Sequence, residues 1–308
     1  MPASNTPLVS IVIATYNGAK FLREQLDSLF AQTYAPLEII AVDDCSSDST
    51  LVILKEYELL HPNFKVYENE INCGPSKTFE RGIKLCSGGF ISLCDQDDVW
   101  AENKVSVLMN SWKENTVIIY CDSIFINSEG KSLGRRISDI KNLATYTNPL
   151  PFIIGNTVSG HAAIFTKKIA IKAMPFPTFI IHDWWLAFVA STQGVIQFVD
   201  QPLVKYRQHT GNVIGAIKIK GRKKDEDKIN KLTIIRNRIS LFYVTCPDSV
   251  EAKKVLRSLT KSYTNFSLST NFLRMITFLK FKDELLATKK RSPFRKVLFC
   301  VKMFFTLI

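Results

Sequence analysis

The segment Gly88 to Trp100, GGFISLCDQDDVW, passes from an apolar run that a strand could bury into three aspartates within four positions. At neutral pH Asp95, Asp97 and Asp98 repel one another. A fold that gathers them at a strand end must therefore supply compensating charge or full solvation. Hard oxygen donors at this density suit Mg2+ or Mn2+. The bland alternative is a solvated acidic turn, with Asp98 capping a helix that starts near Val99.

The surrounding pattern says where such a cluster would sit. LVSIVIAT is followed by FLREQLDSLFAQ, LEIIAVDD by STLVILKEYELL, FKVYEN by KTFERGIKLC, and FISLCD by KVSVLMNSW. This alternation predicts an α/β fold, a mostly parallel sheet flanked by helices. In an open α/β sheet ligands bind beyond the carboxyl ends of the strands. Polar residues collect at those ends: Thr15, Tyr16 and Asn17, then Asp43 and Asp44, then Asn72 and Gly74, then Asp95 to Asp98. Past residue 115 the rhythm changes to VIIYCDSIFIN, a hairpin near Gly130, the segment GNTVSGHAAIFTK, the aromatic helix HDWWLAFVAS, and two short strands, VIQFVD and PLVKYRQH. From about Gly215 the chain reads as helical and basic.

The 308 residues carry a formal charge of +12, which invites a nucleic-acid partner, but its distribution argues against one. Residues 253–308 hold 13 Lys and Arg against Asp283 and Glu284, and so account for +11 of the total. Basic residues interleaved with Phe, Leu, Ile and Met suit an anionic membrane surface better than a phosphate backbone, with ordinary helix packing as the alternative. No segment reaches the roughly 20 apolar residues of a membrane span. MPASNTPLVS lacks the pattern of a signal peptide, so the expected location is cytoplasmic, peripheral on the inner face of the cell membrane. Seven scattered cysteines without a CxxC pair predict free thiols.

VSIVIATYNGAKFLREQLDSLFAQTY, LEIIAVDDCSSDST, NCGPS, DQDD, HDWW and YRQHTGN, in this order, resemble the family-2 inverting glycosyltransferases of GT-A fold over about residues 8–215. DQDDVW, HDWW and YRQHTGN are most similar to bacterial members that build O-antigen or capsular polysaccharide, rhamnosyltransferases among them. The resemblance implies a catalytic domain over 1–215, with a donor half at about 8–115 and an acceptor half at 116–215. A basic helical C-terminal region, 216–308, follows. The implied partners are a nucleotide diphosphate sugar, a dTDP- or UDP-sugar first, and a lipid-linked glycan acceptor.

The resemblance also distributes roles. Thr15, Tyr16 and Asn17 fall in the loop that lines the donor base, and Asp44 matches the carboxylate that accepts a hydrogen bond from it; its alternative is a turn residue or helix cap before SSDST. Asp95 and Asp97 face the ribose and phosphates, while Asp97 or Asp98 holds the metal. Asp183 is the candidate general base, because an acceptor hydroxyl needs its proton removed as the new bond forms. Its alternative is an N-cap for the helix that follows. His182 and Trp184 beside it would desolvate the site and stack on sugar. His209 could complete the metal shell, and His161 is a weaker candidate of the same kind. Arg207 could pair with phosphate or lie on the surface.

Two departures from the family pattern matter. Where many relatives carry an Arg-Asn pair after the third strand, this chain has Phe79 and Glu80, leaving Lys77 or Arg81 as substitutes. The QxxRW segment of processive members is missing, which favours transfer of a single sugar. The expectation is a metal-dependent, inverting single displacement. Its rivals are a glycan- or lipid-binding protein without turnover and a sugar nucleotidyltransferase. Against the latter, ATYNGAK is not a Gly-rich phosphate loop, and the missing GxGxxG argues against a dinucleotide-dependent oxidoreductase.

Overall fold

The computed structural model describes residues 6–209, 227–265 and 267–305. The expected boundary near residue 215, and Thr210 to Asn212 of YRQHTGN, lie outside the described residues. In chain order the first half contains β1 (Val9–Thr15), α1 (Ala19–Phe30), β2 (Leu37–Asp43), α2 (Thr50–Leu60), β3 (Phe64–Glu68), α3 (Pro75–Leu85), β4 (Phe90–Cys94), β5 (Val99–Trp100) and α4 (Lys104–Asn110). Next come β6 (Thr116–Ile126), β7 (Ser132–Arg136), α5 (Ile137–Ile140), β8 (Ala163–Thr166), α6 (Lys167–Ala173), α7 (His182–Ser191) and β9 (Val195–Arg207). The chain then continues through α8 (Asp227–Thr245), α9 (Ala252–Ser262), α10 (Leu268–Lys280), α11 (Lys282–Leu285) and α12 (Pro293–Phe305).

The strands form one sheet in the order β3-β2-β1-β4-β8-β6-β9-β5, with β7 paired to β6. The first four are parallel to their neighbours, as the alternation of strand and helix requires. The second half is mixed: β8 runs antiparallel to both β4 and β6, whereas β9 is parallel to β6. Strand β1 alternates Val9, Ile11 and Ile13 toward one apolar layer and Val12 toward the other, so both faces of the sheet are covered. Pro75 opens α3, where its fixed φ and missing N–H carry no penalty.

Two local expectations change. Val99 and Trp100 do not begin a helix; they pair with Lys205 and Val204 of β9, and α4 starts only at Lys104. The two short strands expected at VIQFVD and PLVKYRQH are one strand, β9, whose pairing with β6 shifts at Cys121, Asp122 and Ser123. Pro202 has no N–H to donate, so pairing slips there and resumes.

The basic C-terminal helices are not an appendage. Phe242 of α8 stacks on Phe188 of α7 with ring centres 3.8 Å apart and planes 8° from parallel. The same apolar layer contains Phe79 and Ile83 from α3, Trp185 from α7, and Leu256, Phe278, Leu286 and Cys300 from the C-terminal helices. Buried Arg274 locks those helices together, donating to the carbonyls of Ser262 (2.8 Å) and Met303 (2.9 Å) and to Asn271 Oδ1 (2.6 Å). All seven cysteines are free. Among the described residues no helix is long and apolar enough to cross a membrane.

Because Phe242 joins the two parts, Phe242→Ala is expected to destabilise the whole fold by about 3–5 kcal/mol. Thermal and urea unfolding of the full chain should then show one shifted transition; loss of the C-terminal helices alone, with the sheet unaffected, would contradict this packing.

Candidate active site

The carboxyl ends of β1, β2 and β4 meet in one place. Thr15 Oγ1 donates to Asp43 Oδ1 at 2.7 Å. Asn17, in the left-handed region at φ 48°, receives the Ser47 N–H on its Oδ1 at 2.8 Å. The Tyr16 ring is half exposed, while its backbone exchanges two hydrogen bonds with the Gln96 side chain: Tyr16 N to Oε1 at 2.8 Å and Nε2 to Tyr16 O at 3.0 Å. Gln96 therefore ties the β1 loop to the acidic turn. A Cβ at Gly18 would fall 2.2 Å from Gln96 Oε1, so the missing side chain makes room for this tie.

Asp44 is buried and accepts three hydrogen bonds, from Asn69 Nδ2 (2.6 Å), Cys73 N (2.9 Å) and Gly74 N (2.8 Å). A carboxylate has about four acceptor positions, so about one remains for a ligand. Arg81 donates to Asn69 Oδ1 and to the Glu68 carbonyl, both at 2.6 Å, and Lys77 pairs with Glu80 at 3.3 Å. Both basic substitutes for the absent Arg are thus engaged within the protein. Phe79 is buried and packs on the His182 ring, with centres 4.7 Å apart.

In the acidic turn the three aspartates separate by environment. Asp95 is partly exposed, Asp97 is largely covered, and Asp98 has no exposed side-chain surface. Asp98 Oδ1 accepts the Arg207 N–H at 2.9 Å, while its Oδ2 is buried without a hydrogen-bond partner. His161 Nδ1 stands 3.4 Å from Asp95 Oδ2 and 3.5 Å from Asp98 Oδ2, and its Nε2 is 3.1 Å from Ser123 Oγ. Ligand atoms of Asp95, Asp98 and His161 lie within 4.8 Å of one another. This grouping differs from the expected Asp97, Asp98 and His209: His209 Nε2 sits 2.7 Å from Asp97 Oδ2 as a separate pair.

Charge in the turn is strongly perturbed. Burial, followed by the neighbouring Asp95 and Asp97, pushes Asp98 up to about 8 against the opposing effect of His161. Burial and then the Asp95 charge also raise Asp97, with His209 opposing. For Asp95, desolvation works upward but the adjacent His161 outweighs it and holds the carboxyl below its usual range. Burial pulls His161 down, yet the charges of Asp98 and Asp95 leave it raised overall. An orphaned buried carboxylate oxygen facing a second carboxylate and an imidazole fits a divalent cation, with the nitrogen donor suiting Mn2+ at least as well as Mg2+.

Two cations hold this turn from behind. Arg207, fully buried, donates from Nε to the Asp97 carbonyl (2.8 Å), from Nη1 to the carbonyls of Asn127 (3.2 Å) and Ser128 (3.1 Å), and from Nη2 to Glu24 Oε2 (2.5 Å). It is neither a surface residue nor turned toward solvent. Lys104, also fully buried, donates to the His161 carbonyl at 2.6 Å above the Trp100 ring, and burial draws it down to about 7.

Asp183 lies in the first turn of α7, whose N-cap is Ile181, so it is not the capping residue. It is partly exposed and, among the described residues, its side chain makes no hydrogen bond or ion pair. A Cβ on Gly160, next to His161, would fall 3.6 Å from Asp183 Cβ and 3.5 Å from His182 Nε2, which places α7 beside the acidic turn. Trp184 is anchored by Nε1 to the Phe152 carbonyl at 2.6 Å.

A curled mixed sheet flanked by helices, with an acidic turn at a strand end, is the GT-A architecture. Over 96% of this chain and 91% of the other, the structure aligns with Staphylococcus aureus TarS in complex with UDP-GlcNAc, at TM-score 0.60 and 16% identity. Residues 10–173 match Glycosyl transferase family 2, and the chain belongs to that family; it is a glycosyltransferase. Among relatives, the dTDP-rhamnosyl transferase RfbG of Shigella flexneri is 28% identical over 73% of this chain and 80% of its own length. The Escherichia coli UDP-Glc:alpha-D-GlcNAc-diphosphoundecaprenol beta-1,3-glucosyltransferase WfgD is 26% identical over 58% and 68%.

Three contributors escaped the sequence pattern. Gln96 and Lys104 were not singled out from the sequence. Arg207 read as a ligand or surface group. A cation that bonds mainly to backbone carbonyls leaves no motif; the acid-rich neighbourhood was the sole signal. Arg207→Met should strip donors from three carbonyls and cost about 2–5 kcal/mol. Lysine should not rescue it, because one ammonium cannot span the same acceptors. Denaturant titration of both variants checks this, and a wild-type midpoint for Arg207→Lys would refute it.

Proposed function

We propose that the enzyme transfers a single sugar, with inversion, from a nucleoside diphosphate sugar to a hydroxyl of a lipid-linked glycan intermediate in cell-surface polysaccharide synthesis. The observation that carries this reading is Asp183: an unpaired, partly exposed carboxylate placed by α7 next to the His161 end of the acidic turn. The relatives' dTDP-rhamnosyl and UDP-glucosyl activities make a dTDP- or UDP-sugar the first candidates for the donor.

On this reading the Tyr16 ring covers the base, the remaining acceptor position of Asp44 takes a base N–H, and Thr15 and Asn17 shape the loop around them. Asp95, Asp98 and His161 would hold Mg2+ or Mn2+, with Asp97 and its partner His209 alongside. When bound, the ion would neutralise charge on the departing diphosphate. Asp183 accepts the proton of the acceptor hydroxyl as that oxygen bonds to the anomeric carbon. The anomeric carbon–phosphate oxygen bond breaks on the opposite face, and the nucleoside diphosphate leaves with the electron pair. His182, wedged against Phe79, and Trp184, bonded to Phe152, fix the rotation of α7 and hence the carboxylate.

Attachment to an anionic membrane on the cytoplasmic side belongs to the same reading. On α12, Phe294, Leu298, Val301 and Phe305 are exposed at i, i+4, i+7 and i+11, and exposed Arg295 and Lys302 line the adjoining strip. This is the pattern of a helix lying in the headgroup region.

Asp183→Asn should keep Mn2+-dependent nucleotide-sugar binding within about twofold while transfer falls by at least about 100-fold. Calorimetry and sugar-transfer assays together decide it; near-normal turnover would remove Asp183 from the chemistry. Nucleotide released only when acceptor is present separates transfer from a binding protein without turnover. For the membrane, Phe294→Ser/Phe305→Ser leaves the buried face of α12 intact and should reduce cosedimentation with phosphatidylglycerol vesicles by roughly tenfold, given about 25 cal/mol per Å² of lost apolar burial. Unchanged cosedimentation would assign this face to another partner.

A further inference from the structure

Cations gather near Asp183, and among the described residues their side chains form no ion pair. Lys141, just after α5, forms an isolated antiparallel bridge with Lys289, just after α11. Asn142 fixes that crossing by donating from N to the Thr288 carbonyl (3.2 Å) and from Nδ2 to the Ala287 carbonyl (2.8 Å). Arg238 of α8 holds its guanidinium 4.2 Å over the ring of Trp184, the neighbour of Asp183. Arg291 follows Lys289 by two residues. Among the described residues none of these four side chains forms an ion pair.

The charges act on one another. Lys289 is held below the usual lysine value by desolvation and then by Lys141, Arg291 and Arg238. Lys141 is lowered by burial, with the charge of Asp183 opposing, and burial draws Arg238 down to about 10. Like charges drawn together without an ion-paired carboxylate favour binding of an anion.

Donors without partners lie at the same place. Thr288 is 1% exposed and its Oγ1 has no hydrogen-bond partner; the buried Nε of Arg238 has none either. Thr288 Oγ1 and Lys289 Nζ both border Gly155: a Cβ there would stand 2.8 Å from the first and 3.3 Å from the second. Any larger residue would cover these donors. Lys289 remains exposed, so the group opens to solvent.

We propose that Lys141, Arg238, Thr288 and Lys289 form a cradle for the diphosphate of the lipid-linked acceptor. The identity of the carrier rests on the acceptor reading above; the anion site rests on the geometry. The order of parts along the protein fits such a substrate. Asp183 meets the sugar hydroxyl, the cradle lies beside it, and Arg291 leads directly into α12, whose exposed basic and apolar face suits the bilayer that would hold the lipid.

The test is direct binding of farnesyl diphosphate to the full-length protein in EDTA, which suppresses diphosphate binding at a metal-dependent donor site. Lys141→Gln/Lys289→Gln should weaken it roughly tenfold or more, in line with the loss of charge-assisted hydrogen bonds. Lys141→Arg/Lys289→Arg should restore most of it. Lys289→Gln alone, at an exposed position, provides a variant whose folding is not at issue, and Mn2+-dependent nucleotide binding verifies the double variant. Parallel weakening for inorganic pyrophosphate supports the cradle. Binding unaffected by either glutamine variant overturns it, as does weakening seen only with phosphatidylglycerol vesicles, which would indicate a headgroup contact. Since no sugar is transferred, this result can fail while the transferase reading stands, and the reverse.

Discussion

A carboxylate without water has to be compensated from within the fold, and Asp98 is one. One oxygen is held by the Arg207 N–H, and the other faces His161 across 3.5 Å with no hydrogen bond. Around it, elements distant in sequence converge: β9 brings Arg207, the segment before β8 brings His161, and α4 brings Lys104 under the His161 carbonyl. The pairing of β5 with β9 is part of the same arrangement, because it places Arg207 against the turn. Removing the ligand-like oxygen from solvent raises its pKa, and an incoming divalent ion lowers it again. The turn is thus built around a buried carboxyl whose charged form is costly without a compensating cation.

The parallel half of the sheet was legible because its signals are local. Each of the first four strands carries its own apolar run, and each is followed directly by a polar residue. Asp44, Asp95 and Asp183 were legible as carboxylates at strand or helix ends. What resisted reading depends on distance in sequence. The merger of VIQFVD with PLVKYRQH into β9 depends on a partner, β6, that tolerates a slipped register at Asp122. The sorting of the aspartates depends on His161, and its GNTVSGH context offers no ligand spacing to Asp95 or Asp98. His209, the stronger histidine candidate in the sequence, packs on Phe21 and Asp97 instead.

The C-terminal helices show the same limit from the other direction. Their excess of Lys and Arg suggested a surface layer, yet the residues between those charges fill the core layer behind α7. Phe242 against Phe188 and Arg274 among three helices are core devices in a region whose composition reads as superficial. One helical sequence can serve both purposes because 3.6 residues per turn separate its faces: on α12, Cys300 and Met303 are buried while Phe294, Leu298 and Phe305 are not.

The acidic turn and the cationic group near Asp183 address one electrostatic problem in opposite ways. In the proposed reaction each substrate carries a diphosphate, and the two must be held close together without repelling one another apart. On that reading the donor meets carboxylates, which call for a mobile cation, and the acceptor meets fixed lysines and an arginine. The difference matches the fates of the two groups. The donor diphosphate gains charge and must leave, which suits an ion whose ligand set can exchange, whereas the acceptor diphosphate keeps its charge and needs only to be held.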